Sequence, residues 1–142
     1  MTWRGTLNIQ AALLMGALAV QYALGMYVNL FVSFPDNATE GQLWDFAWSE
    51  PALGAHIILA TLIFIGATVL CIRASRRRDR RWITASFIGL LAVFGAGASG
   101  AQFVPSQIDA YSYSMSIMFL IALFSYAWGI FGSRRSDVVY QK

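Results

Sequence analysis

The chain contains a single histidine, His56, the side chain best suited here to metal ligation or proton transfer near neutral pH. One histidine cannot form a multi-histidine metal site within one chain. It could be one axial ligand of a haem whose second ligand is Met115 or Met118, or two copies of the chain could each supply a histidine. A histidine packed and hydrogen-bonded between helices is the alternative role. The only cysteine, Cys71, excludes a disulfide framework and a cysteine-based zinc site.

Four uncharged polar side chains fall at a similar distance from one end of four apolar segments. They are Asn29, His56, Gln102 and Ser116. A polar group inside a bilayer has to find a hydrogen-bond partner, so we expect the four to converge between helices. Two interpretations stay open. The groups could form a hydrogen-bonded layer that fixes helix packing, or they could line a ligand pocket that faces the outer side of the membrane.

A pocket at this depth would take further side chains from neighbouring positions. Its expected lining also includes Tyr27, Met26 and Met115, with Glu50 and Asp109 as a charged rim. No Asp, Glu, Lys or Arg lies deep in an apolar segment, which argues against an ion pump or a proton-driven transporter. The sequence also lacks a glycine-rich phosphate loop and a Ser-His-Asp set in plausible order. These absences favour a site that binds over one that catalyses.

The elements that position these residues are apolar helices. Of the 142 residues, 58% are hydrophobic and 12% are charged, about half the charge of an average globular domain. Four stretches without charge are each longer than the roughly 20 residues that cross a bilayer as a helix. The sequence predicts one all-α domain over residues 1–142, an integral membrane four-helix up-down bundle. Its spans are expected at about residues 7–34, 51–72, 82–104 and 110–131.

Charge asymmetry predicts the orientation of these spans. The segment Arg73–Arg81 reads RASRRRDRR and holds six of the ten basic residues; the others are Arg4, Arg134, Arg135 and Lys142. If the amino terminus is cytoplasmic, all ten fall inside, and the outer loops at 36–50 and 105–112 hold none. Both termini are therefore expected in the cytoplasm, in a multi-pass protein of a bacterial-type plasma membrane.

The same run of arginines predicts contact with anionic lipid headgroups. The residues expected to make it are Arg73, Arg76, Arg77, Arg78, Arg80 and Arg81. Nucleic acid is not an expected partner, because the run lies between two spans and leaves no room for a folded nucleic-acid-binding unit.

A run of small residues in the third span predicts close helix packing. The segment Gly95–Ala101 contains Gly95, Gly97 and Gly100, and its small residues recur four positions apart. Small side chains let helix backbones approach closely in lipid. The alternative is that they leave room for a flat ligand.

The first span also carries a pattern known from a protein family. Gln21, Leu24 and Gly25, followed by Pro35-Asp36, give the order Q-x-x-L-G and then Pro-Asp. This order resembles the first helix of the haem A synthase family. Glu50 and His56 are similar to that family's second-helix entrance, where a glutamate shortly precedes an axial histidine. The resemblance covers nearly the whole chain and implies one four-helix half of an eight-helix fold.

The chain departs from the family's pattern at several positions. Ser116 stands near the place of the second axial histidine, and Ile57 stands where an arginine usually follows the first. Loop cysteines are absent. The resemblance therefore implies a fold and one axial ligand of a b-type haem, His56, but not haem A synthesis.

These observations lead to three classes of function. The first is a non-enzymatic accessory or ligand-binding subunit with an outward-facing polar pocket, which associates through its helix faces with itself or with a larger membrane complex. The second is a b-type haem or redox membrane protein related to haem A synthase. The third is a small transporter, which would need an oligomer to build a path.

Overall fold

The computed structural model describes the backbone of residues 3–139 and the side chains of residues 5–132. This part of the chain forms five α-helices and no β-strand. The helices are α1 Trp3–Phe31, α2 Glu40–Ser49, α3 Pro51–Arg77, α4 Arg80–Ser106 and α5 Asp109–Val139. The side chains of Arg4, Arg134, Arg135 and Lys142, which enter the orientation argument, lie outside the described ones.

Four of the helices are long and apolar enough to cross a membrane. The candidate spans are Gly5–Phe31, Pro51–Arg77, Arg80–Ser106 and Asp109–Gly132. The predictions of an all-α fold and of four apolar helices are confirmed. The first helix ends at Phe31, before the predicted end at residue 34, while α3 continues beyond residue 72 to Arg77.

The short helix α2 was not predicted, since the segment 36–50 was expected to be a plain outer loop. Thr39 caps its start: its hydroxyl accepts from the Gln42 backbone N–H, and its own N–H donates to Gln42 Oε1 over 2.8 Å. Leu43 and Ala47 are buried where α2 packs against α3 and α4. Burial of this apolar face stabilises a helix too short to persist alone.

The long helices form a ring of contacts. α1 packs against α3 and α5, and α4 packs against the same two helices. Within the described part of the chain, the diagonal pairs α1–α4 and α3–α5 make no backbone contact. The space at the centre of the ring must therefore be filled by side chains or remain open.

The core divides into two clusters along the bundle. The larger one holds side chains such as Leu14, Leu70, Trp82 and Tyr126, and the last three are fully buried. The smaller one lies beneath α2 and consists of Val28, Leu43, Ala47, Leu53 and Val104. The two clusters leave an intervening stretch of the bundle with few buried side chains.

Glycines set the contact between α4 and α5 in the larger cluster. A Cβ added at Gly129 would lie 2.8 Å from the Trp82 ring, and one added at Gly89 would overlap the Tyr126 ring. Both rings therefore occupy space that only a glycine leaves. This small-against-large packing brings the two backbones together without a polar contact.

The three glycines of the predicted small-residue contact differ in their surroundings. Gly95 lies against Met118 of α5, and Gly100 lies against Met115. Gly97 differs from the expectation: a Cβ there would have no neighbour within 4 Å. Gly97 follows Gly95 by about 200° around the helix, so the two glycines do not face the same neighbour.

The arginine-rich segment forms the turn between α3 and α4. Arg78 ends α3 in the left-handed conformation (φ 54°), and the Asp79 carboxylate accepts from the Arg81 and Trp82 backbone N–H groups to cap α4. Arg73 Nη1 donates to Gln10 Oε1 over 2.9 Å. Lipid contact by this segment stays a prediction; five of its six arginines are exposed, namely Arg73, Arg76, Arg77, Arg78 and Arg80.

Replacing Gly89 by leucine tests the α4–α5 contact. Because Tyr126 is fully buried, its ring has nowhere to move, and we expect Gly89→Leu to lower the free energy of unfolding by about 1–3 kcal/mol. Gly16→Leu is the matched control, since a Cβ at Gly16 meets nothing within 4 Å. Unfolding of detergent-solubilised protein measures both. Equal stability of the two variants would contradict this packing.

Candidate functional site

A cavity of about 510 Å³ lies between the four long helices, in the stretch between the two core clusters. This volume is typical of pockets that bind small molecules. All five helices contribute to its wall, and α2 does so through Trp44. The cavity is thus a property of the assembled bundle and not of one helix pair.

The cavity wall is mainly apolar and aromatic. Its uncharged polar members are Gln21, Asn29, His56, Thr61, Ser112 and Ser116. Within the described part of the chain, no Asp, Glu, Lys or Arg lines it. No group of three or more His, Cys, Asp or Glu suited to a metal occurs there either. The wall therefore offers hydrogen bonds and dispersion contacts but no fixed charge.

The principal polar contact in the wall joins α1 to α3. Gln21 Nε2 lies 3.0 Å from His56 Nε2 and donates to the His56 carbonyl oxygen over 3.0 Å. A carbonyl oxygen can only accept, so the amide NH₂ group of Gln21 must point to α3. The same NH₂ group then donates to Nε2 of the ring. The neutral His56 ring consequently carries its proton on Nδ1.

The geometry leaves two polar atoms of this pair unused. Gln21 Oε1 and His56 Nδ1 are both buried, and neither has a hydrogen-bond partner among the described residues. A buried polar atom without a partner carries a desolvation cost of about 1–3 kcal/mol. The Gln21–His56 contact is therefore a constrained one, held by the packing around it.

Gly25 provides the surface on which the His56 ring lies. A Cβ at Gly25 would lie 3.0 Å from the ring's Cε1 and 3.7 Å from Nδ1. Gln21 and Gly25 are one turn apart on α1, so they hold the ring from one helix face. The sequence motif Q-x-x-L-G thus places the Gln21 amide and the open space at Gly25 against the same histidine.

A second polar contact joins α1 to α5 at the end of the cavity near α2. Ser112 Oγ donates to Asn29 Oδ1 over 3.3 Å, and Ser116 Oγ donates to the Ser112 carbonyl oxygen. The hydroxyl protons of both serines are therefore used within the protein. Asn29 keeps its amide NH₂ group for other partners.

The structure brings together five of the eight residues predicted to form a pocket. These are Met26, Asn29, His56, Met115 and Ser116, which all line the cavity. Asn29 and Ser116 reach it from α1 and α5, and His56 reaches it from α3. Their side chains do not form hydrogen bonds with one another. His56 bonds to Gln21 instead, and Asn29 bonds to Ser112.

Three predicted pocket residues lie elsewhere. Tyr27 is 51% exposed, and its ring packs against Phe31 at 5.2 Å between centroids. Gln102 is exposed, since its neighbours in α4 take the inward positions. Glu50 links α2 to α3 and does not line the cavity. The expected rim residue Asp109 is exposed in the first turn of α5.

The sequence reasoning missed Gln21 as a site residue. It grouped polar side chains by depth, and Gln21 precedes Asn29 by two helical turns, about 12 Å deeper in the membrane. The available signal was its spacing from Gly25. An amide one turn from a glycine can bond to a side chain of the next helix that packs on that glycine.

The arrangement does not fit a haem between His56 and a methionine. Of the two ring nitrogens, Nε2 is paired with Gln21, and Nδ1 is buried near Gly25. The sulfur atoms of Met115 and Met118 lie against glycines of α4. A Cβ added at Gly100 would be 3.2 Å from the Met115 sulfur, and one added at Gly95 would be 3.3 Å from the Met118 sulfur. Axial ligation would require all of these side chains to turn.

Comparison with known proteins adds no relative. No family model, no curated protein and no solved structure matches the chain.

Removing the Gln21 amide tests its contact with His56. Gln21→Leu leaves the His56 Nε2 atom without a donor, and we expect a loss of about 1–2 kcal/mol in the free energy of unfolding. Gln102→Leu is the matched control, because that amide is exposed and outside the cavity. A double-mutant cycle of Gln21→Leu with His56→Leu should show coupling. Additive effects of the two changes would mean that the contact contributes nothing.

Proposed function

We propose that this protein is a non-enzymatic membrane protein that binds a neutral, lipid-soluble small molecule in its central cavity. The observation that carries the proposal is the cavity of about 510 Å³, with an apolar wall and a few uncharged polar groups. A pocket with these two properties binds largely apolar ligands and orients them by a few hydrogen bonds.

The absence of charge in the wall supports a neutral ligand. An ion inside the apolar part of a membrane needs an opposite charge or water as a partner. The described lining residues supply no such charge. A charged headgroup or a metal ion would therefore remain without compensation at this place.

An up-down topology with both termini in the cytoplasm belongs to the same proposal. The cavity is lined by the carboxyl-terminal halves of α1 and α4 and by the amino-terminal halves of α3 and α5. This arrangement supports an antiparallel orientation of neighbouring helices. The arginine-rich turn between α3 and α4 is distant from α2, where the cavity lies. With arginines inside, the cavity belongs to the outer half of a plasma membrane.

Association with a second copy or with a larger membrane complex completes the proposal. Large apolar side chains such as Leu13, Phe31 and Phe131 are more than half exposed. Such faces contact either lipid or other membrane helices. A small binding protein of this kind would serve as an accessory subunit of such a complex.

Filling the cavity should abolish ligand retention. Gly97 lines the cavity and a Cβ added there meets nothing within 4 Å, so Gly97→Leu adds a side chain at the cavity wall. We expect the wild-type protein, purified from its own membrane, to carry a neutral compound that organic extraction and mass spectrometry identify. Gly97→Leu should lose most of it, and Gly16→Leu should retain it.

The same preparation distinguishes the alternatives. A sharp visible absorption band that shifts on reduction would favour a haem protein and contradict a neutral organic ligand. Retention of no compound beyond bulk lipid, in wild type and variants alike, would also contradict the proposal.

Single cysteines test the orientation. In a Cys71→Ser background, we expect Ser49→Cys to react with a membrane-impermeant maleimide on intact cells, because Ser49 is exposed at the end of α2. Arg77→Cys should react only after the cells are permeabilised. A permeant maleimide serves as the control for both. The reverse labelling pattern would place the termini on the outer side.

A further inference from the structure

The cavity opens sideways between α3 and α4. Several residues that line it are also exposed at the surface, and those on these two helices are Thr61, Phe64, Phe94, Gly97, Ala98 and Ala101. The Phe64 and Phe94 rings lie 6.3 Å apart between centroids and form one edge of the gap. Gly97 has no side chain to close it. In a four-span membrane protein, this opening lies at the level of the hydrocarbon core and faces the lipid.

The seam between α1 and α5 is closed instead. Tyr22 of α1 stacks on Phe119 of α5 at 4.8 Å between ring centroids. Asn29 and Ser112 join the same helices nearer to α2. On this side the exposed lining residues are Tyr22, Met26 and Asn29 of α1, and none of the described lining residues of α5 is exposed. The two contacts across this seam favour the gap between α3 and α4 as the route from the bilayer.

The polar groups of the wall provide donors more than acceptors. The hydroxyl protons of Thr61, Ser112 and Ser116 go to other protein atoms, and the Gln21 amide protons go to His56. The Asn29 NH₂ group, the Tyr22 hydroxyl and the Trp44 indole N–H line the cavity and have no hydrogen-bond partner among the described residues. The Gln21–His56 pair adds one unpartnered donor, His56 Nδ1–H, and one unpartnered acceptor, Gln21 Oε1, and both of these atoms are buried.

Asn29 is the strongest of these donors. Its Oδ1 accepts from Ser112, so its orientation is fixed and its NH₂ group points away from Ser112. Asn29 is exposed at the cavity wall, so this NH₂ group is accessible to a carbonyl oxygen of a ligand.

We infer that the cavity takes a lipid-soluble quinone, a neutral ring with carbonyl oxygens and an apolar tail, which enters between α3 and α4 and accepts a hydrogen bond from Asn29. This inference rests on the proposed function and names its ligand class. A quinone ring matches the aromatic wall, its carbonyl matches the donor excess, and its tail can remain in the gap that faces the lipid.

Trp44 provides a direct readout, because its indole lines the cavity and a bound quinone quenches indole fluorescence. The probe is a decyl-substituted benzoquinone added to protein in lipid nanodiscs. We expect saturable quenching on top of the linear background, and Trp44→Phe should remove the saturable part. Decylbenzene, which has the same tail and no carbonyl, should compete at least tenfold more weakly.

Two substitutions at Asn29 test the hydrogen bond. Asn29→Leu should weaken the apparent affinity about tenfold, because one hydrogen bond to the ligand is lost. Asn29→Asp keeps the acceptor for Ser112 and removes the NH₂ group, so it should also weaken binding if Asn29→Leu fails to fold. Gln102→Leu, the same change at an amide outside the cavity, should bind as the wild type does.

The outcomes separate this inference from the proposed function. If Gly97→Leu loses a co-purified neutral compound while the quinone gives no saturable quenching, the cavity binds another ligand and the quinone inference is wrong. If both Asn29 variants bind the quinone as the wild type does, recognition by Asn29 is wrong. If Gly97→Leu changes neither measurement, the proposed function fails together with this inference.

Discussion

A glutamine amide on one long apolar helix that bonds to an imidazole on another determines much of this site. Inside a bilayer, Gln21 has no water to bond with, so its NH₂ group has to find acceptors on α3, and His56 provides two of them. Gly25 allows the ring to lie against α1. The contact fixes α1 on α3, fixes the ring tautomer, and withdraws both groups from the chemistry that an isolated histidine would offer.

The two halves of the bundle differ in the way they fill space. In the half near the arginine-rich turn, glycines face the Trp82 and Tyr126 rings, and the centre is packed. In the half near α2, the facing residues are small side chains and methionines, and the centre stays open. Packed and open space are thus divided between the two ends of the same four helices.

Sequence composition was sufficient for the four apolar helices, because uncharged stretches of bilayer length allow few alternatives. It was not sufficient for helix rotation. Successive side chains of a helix point in directions that differ by 100° around its axis, and a helix that is apolar on every face gives no signal for the inward side. For this reason Gln102 and Tyr27 were expected in a cavity that other residues line. The helix α2 carried a readable signal in Thr39 and Gln42, a capping box that the loop interpretation overlooked.

The central claim, that Gln21 donates to His56 inside the bundle, can be measured directly because the chain has one histidine. Nitrogen-15 NMR of histidine-labelled protein in nanodiscs reports which ring nitrogen carries the proton. The account predicts a neutral ring with the proton on Nδ1, and through-space contacts between the ring and the Gln21 amide. A proton on Nε2, or a ring whose contacts are to lipid acyl chains, would contradict it.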